Sequence, residues 1–162
     1  MKYSIAAVVS ALAASAAALP FPSAYTLVAD GGWTVVTDGT HAFIGTGDID
    51  NYPVLILKGG NNNSKITGAA QHRSSAGVQH LYVMGSTETP VTLTSPDADA
   101  PSGAVVAGFG VDNQNYLTVN GKSSAFGVDP NSGQIREIYH LGKGSDSQYQ
   151  PISLWVKECK GC

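Results

Sequence analysis

Cysteine is almost missing from this chain. Of 162 residues, only Cys159 and Cys162 are cysteines, and both fall within the last four positions. The body therefore has no disulfide framework and no paired Cys-x-x-Cys spacing of the kind that holds zinc. Charge is scarce as well. Lys, Arg, Asp and Glu make up 13% of the residues, and the formal net charge is −3. A mildly acidic chain lacks the basic patch that nucleic acid or an anionic membrane surface requires, so neither is expected as a partner. The four histidines, His41, His72, His80 and His140, show no H-x-x-x-H or H-x-H pairing. They read as surface or strand-end residues, and no metal or other cofactor is expected. There is no G-x-S-x-G, and no glycine-rich phosphate loop running into a helix. No motif sets two of the twelve acidic residues together as a glycosidase needs. The D-x-D pairs Asp48/Asp50 and Asp97/Asp99 supply too few oxygens for a hard cation and read as solvated loop acids. No catalytic residue is expected.

What the chain does have begins with Met1-Lys2-Tyr3-Ser4. An apolar stretch from Ile5 to Ala14 follows, and then Ser15-Ala16-Ala17-Ala18. One positive charge, a short apolar core and an A-x-A end form a secretory signal peptide over residues 1–18, cut after Ala16 or after Ala18. The apolar run is too short to span a bilayer, which takes about 20 residues. The protein is expected outside the cell, as one domain over residues 19–162.

Past Pro20-Phe21-Pro22, period-2 segments alternate with turn signals. Tyr25–Ala29, Trp33–Thr37 and His41–Gly45 are separated by Asp30-Gly31-Gly32 and by Asp38-Gly39, which predicts a meander of hairpins. Pro53–Leu57 is continuously apolar, as a strand buried on both faces would be. Gln79–Met84, Pro90–Thr94, Ala104–Val111, Ile135–His140 and Ile152–Lys157 are further strands. Asn120-Gly121 between Asn115–Val119 and Lys122–Val128 predicts a type I′ hairpin, with a second turn at Asp129–Gly133. About eleven short strands without helical periodicity specify an all-β fold, an antiparallel sandwich or barrel. Gly59–Ser64 and Ser95–Gly103 are loops.

In an oxidising compartment Cys159 and Cys162 are expected to form a disulfide, within the chain or between two chains. The protein is a monomer unless the bridge is intermolecular. Asn62-Asn63-Ser64 is an N-glycosylation acceptor in a loop, so Asn62 is a candidate modification site. Trp33, Tyr52, Tyr82, Tyr116, Tyr139, Tyr149 and Trp155 are scattered along the chain and are expected mostly in the core or half-buried on strands.

Two stretches carry a resemblance. One is Leu27-Val28-Ala29-Asp30-Gly31 leading to Val36-Thr37-Asp38-Gly39-Thr40-His41-Ala42-Phe43-Ile44-Gly45. The other is Gly108-Phe109-Gly110-Val111 through Tyr116-Leu117-Thr118-Val119-Asn120-Gly121-Lys122, closing with Leu154-Trp155-Val156-Lys157-Glu158-Cys159-Lys160-Gly161-Cys162. Their order resembles small secreted proteins of filamentous fungi: the PhiA-like cell-wall proteins, some of them allergens, and the elicitors that induce the hypersensitive response in plants. The PhiA-like pattern places cysteines inside the domain body, where this chain has none. The resemblance implies a non-enzymatic protein of the wall or extracellular space, with cell-wall polysaccharide or a host surface component as partner. The alternative is a glycan-binding module, which requires an exposed aromatic patch with polar neighbours. A secreted hydrolase is the third reading and requires two close carboxylates.

Overall fold

The computed structural model describes residues 18–45, 51–74, 76–142 and 148–162. The signal peptide read at residues 1–18 lies outside them except for Ala18, and so do Asp48 and Asp50. Sixteen short strands make up the described fold, with one 3-10 turn at Asn61–Asn63 and no α-helix among the described residues. In chain order they are β1 (Tyr25–Ala29), β2 (Trp33–Thr34), β3 (Val36–Thr37), β4 (Ala42–Gly45), β5 (Leu55–Gly59), β6 (Ile66–Ala70), β7 (Gln79–Met84) and β8 (Thr89–Pro90). They continue as β9 (Thr92–Leu93), β10 (Ala104–Val105), β11 (Phe109–Val111), β12 (Leu117–Val119), β13 (Phe126–Val128), β14 (Ile135–His140), β15 (Gln150–Ile152) and β16 (Leu154–Glu158).

The strands form two principal antiparallel sheets that share one core, a sandwich and not a closed barrel. The first sheet runs β10-β7-β6-β5-β1-β16, with β2 and β9 attached; the second runs β15-β13-β14-β4-β3, with β8 attached. A two-stranded ribbon of β11 and β12 stands beside them. Period-2 alternation sends Leu27, Leu57, Leu81 and Val156 of the first sheet, and Ile44, Phe126, Val128 and Ile138 of the second, into a common apolar cluster. Ile56 points the opposite way from Leu55 and Leu57, yet it is only 9% exposed. The continuous apolar run around it is covered on both faces, as its sequence implied.

The expected meander is present: Val28 pairs with Thr34 and Val36 pairs with Phe43. But several runs read as single strands are divided between the two sheets. Trp33–Thr37 breaks at Val35, which donates its N–H to the Leu27 carbonyl at 2.8 Å and accepts from the Leu55 N–H at 3.1 Å. Pro90–Thr94 breaks at Val91, so that β8 joins β14 and β9 joins β7. The final run breaks at Ser153, so that β15 joins β13 and β16 joins β1. Such corners, where one strand leaves a sheet to enter the facing one, let short segments build two layers. They also raise the number of strands above the eleven read from the sequence.

The Asn120-Gly121 hairpin needs a correction. Both residues have positive φ, 49° and 78°, as a type I′ turn requires. Only Val119 and Lys122 are bridged across it, however. β12 then pairs back onto β11, while β13 goes to β14 and β15. The turn is local, and the partners of its arms are decided by the core.

Candidate functional site

The sequence-derived candidates do not converge. Cys159 and Cys162 are bonded to each other within the chain, and the Cys159 N–H is held by the Ala24 carbonyl at 2.9 Å. Asn62 is exposed in the 3-10 turn with φ 54°, and the Ser64 hydroxyl of the same acceptor sequence takes the Gly60 N–H at 3.1 Å. Asp97 and Asp99 lie on an exposed loop. The Asp97 carboxylate caps the Val78 N–H at 2.9 Å, and Asp99 faces Lys65 at 3.9 Å. His72 is exposed, and His41 and His80 are half-buried. His140 departs from expectation. It ends β14 but is only 4% exposed, with Nδ1 against the Met84 carbonyl at 2.9 Å and its ring edge toward Phe126. A carbonyl can only accept, so Nδ1 carries the proton. Among the described residues, no three His, Cys, Asp or Glu side chains gather as a metal site would require.

What does converge is a row of aromatic side chains on the outer face of the second sheet. On β4, Ala42 and Ile44 are buried, which turns His41 and Phe43 outward. On β14, Ile138 and His140 face in, which turns Glu137 and Tyr139 outward. The register sets Phe43 opposite Glu137 and Gly127 opposite Tyr139. Tyr52 meets Phe43 edge-on, with centroids 5.3 Å apart, and Phe43 meets His41 at 6.4 Å. Glu137 lies between His41 and Tyr139. Its Oε1 is 3.0 Å from His41 Nδ1, and its Oε2 accepts the Tyr139 hydroxyl at 2.7 Å. Tyr139 in turn stacks on Tyr149, 4.3 Å between centroids and 17° between planes. The stack needs a glycine beneath it: a Cβ on Gly127 would stand 3.0 Å from Tyr149 Cβ.

The row is closed at its other end by Trp33. This indole is 40% exposed. With Tyr52 it rims a hollow of about 290 Å³ floored by Val36, Val54 and Ile135. A second hollow, of about 350 Å³, opens on the far side of Trp33 beside Ile44, Gln134 and Arg136. The indole is thus a ridge between two troughs.

Within this row Glu137 is the one carboxylate, and both of its oxygens are engaged. The hydrogen bond to Glu137 pushes the Tyr139 phenol above its ordinary range, with partial burial and the carboxylate's charge adding to the effect. Tyr139 therefore stays protonated and keeps the carboxylate oriented. Glu137 in turn presents its remaining lone pairs in a fixed plane beside the rings. Apolar ring faces with one oriented acceptor make a surface suited to holding a ligand that has both C–H faces and hydroxyl edges.

No family model, no curated protein and no solved structure matches this chain. The aromatic row was not visible in the sequence, because its members come from five separate segments. One signal was available. His41-x-Phe43 and Glu137-x-Tyr139 each place two polar or aromatic residues at period 2 around one apolar residue, Ala42 or Ile138, which sets the pair on one face of a strand.

Proposed function

We propose that this is a non-enzymatic extracellular protein that lies against neutral polysaccharide, in the wall or its surroundings, through the aromatic face of the second sheet. The observation that carries the reading is the row from Trp33 through Tyr52, Phe43, His41, Glu137 and Tyr139 to Tyr149. A secretory leader at residues 1–18 and a chain with 13% charged residues fit such surroundings. Trp and Tyr are the side chains that most often anchor contact surfaces, because each joins a wide apolar body to a hydrogen-bonding tip. The rings here stand on paired strands and on one another, so binding costs little in ordering. A glycosidase would call for a second carboxylate across the cleft. Among the described residues the row supplies only Glu137, and His41 and Tyr139 occupy it.

The test is co-sedimentation of the mature protein with insoluble β-glucan and with chitin. Retention on one of these is expected. Trp33→Ala and Tyr139→Ala should each weaken it by roughly tenfold, the size expected for truncating one aromatic anchor. A protein that stays in the supernatant with every neutral polysaccharide, or whose retention ignores both substitutions, overturns the reading.

A further inference from the structure

Trp33 ends the row on the second sheet, but its own strand, β2, belongs to the first. The run Trp33–Thr37 passes between the layers at Val35, which is fully buried. The residues on either side of it, Thr34 and Val36, both line the hollow that Trp33 and Tyr52 rim. Val36 stands opposite Phe43 on the second sheet, and Thr34 stands opposite Val28 on the first. The surface therefore continues round the side of the sandwich.

Val28 has a second neighbour. On its other edge it pairs with Trp155 of β16, and Trp155 is bridged in turn to Tyr116. Directly opposed residues of antiparallel strands share a face. The chain neighbours Leu27, Ala29, Leu117, Leu154 and Val156 are buried, so the face that these residues share is the outer one. Thr34, Val28, Trp155 and Tyr116 stand abreast on four adjacent segments, and none of them carries a charge. Tryptophan is highly buried on average. Here both tryptophans of the chain are 40% exposed, and they are two of the four large apolar side chains exposed among the described residues. Only Thr34 and Val28 separate them along this band.

We propose that a polysaccharide chain lying on the aromatic row continues past Trp33, over Thr34 and Val28, onto Trp155 and Tyr116, so that the protein clasps it round the side of the sandwich. The inference rests on the polysaccharide reading above and adds Trp155 as a binding residue. It also selects the ligand. A chain that follows this path has to bend. β-1,4 linkages, as in chitin, give a straight stiff ribbon, whereas β-1,3 linkages give a curved, pliable chain, so the occupant is a β-1,3-glucan. A pyranose ring is about as wide as one strand spacing, about 4.8 Å, so the row takes about four units and the whole band about eight.

The test uses soluble β-1,3-glucan oligosaccharides of these two lengths. In Trp33→Phe, Trp155 is the one tryptophan left. Its fluorescence should be shielded from acrylamide by the saturating octamer and not by the tetramer. The wild-type protein should bind the octamer roughly tenfold more tightly than the tetramer, the contribution of one further aromatic anchor. Trp155→Thr, which keeps a strand-forming residue at an exposed position, should erase that gain and leave tetramer affinity unchanged. Trp155→Tyr should retain most of the gain. Chitin oligosaccharides should show no comparable gain with length. An octamer that binds without shielding Trp155, a gain that survives Trp155→Thr, or an equal gain with chitin overturns the clasp and leaves the reading of the second sheet in place. If no neutral polysaccharide retains the wild-type protein, both fall.

Discussion

A histidine sealed into a core behaves differently from one at a surface. His140 is shut between β13, β14 and the Met84 carbonyl, and burial holds its proton affinity below the ordinary value, partly opposed by the Met84 hydrogen bond. The folded state therefore binds this proton more weakly than the unfolded state. Stability should be full above the unfolded value of about 6.5 and fall as pH drops below it, by up to about 1.4 kcal/mol per pH unit until the folded value is reached. Urea melts at pH 7.5 and pH 5.0 measure this. The difference should shrink in His140→Phe, and an unchanged slope would sink the assignment. Glu137 offers a second test on single side chains. Replacing it by Ala removes the acceptor that raises the Tyr139 phenol. Ultraviolet titration should then show one tyrosine moving down toward about 10, while Tyr25, raised by burial alone, stays high.

At the level of strands, the sequence was legible where one strand serves one sheet. Gln79–Met84 and Ile135–His140 are β7 and β14 to the residue, because each is a short run of strand-forming residues set between turn formers. It was not legible at Val35, Val91 and Ser153. The apolar character of each run continues through the corner, and periodicity carries no mark of which layer a residue enters. The Asn120-Gly121 turn shows the same limit: its backbone geometry follows from two residues, but the pairing of its arms follows from Phe126 and Leu117 finding different parts of the core. The aromatic row depends on register between β4 and β14, which no local pattern encodes. Strand edges carry a prediction of their own. β16 is an edge strand, and Asn115 stands in for its missing neighbour. The Asn115 carbonyl accepts the Val156 N–H at 2.8 Å, and its side-chain amide donates to the Val156 carbonyl at 2.7 Å. Asn115 has φ 71°, a conformation asparagine tolerates better than most residues. Asn115→Ala should therefore destabilise the protein by about 1–2 kcal/mol, from the lost bond and the backbone preference together. It should also raise its tendency to self-associate at the uncovered edge, seen by chemical melts and light scattering.

For the molecule as a whole, the sandwich separates two kinds of surface. One outer face carries the aromatic row, and the other carries an open hollow over Ile56 and Ala69. The core between them draws on both sheets, so that neither face has a stable support without the other. The Cys159–Cys162 ring is too small to account for that stability, closing four residues for about 2 kcal/mol at most. The alternating apolar side chains hold the fold, as the sequence implied, and the cysteines only close a small ring after β16.

The corner residues have a consequence for how the protein comes apart. Three lengths of polypeptide act as stitches, each running through both layers of the fabric, so one layer cannot be peeled away while the other stays whole. Hydrogen exchange should then find the amides of Leu27 and Leu57 in one layer, and Phe126 and Ile138 in the other, opening together, with protection free energies within about 1 kcal/mol of each other. Two separate classes of protection, one per layer, would show that the stitching does not hold. A seam of this kind leaves a protease no half-open intermediate to cut.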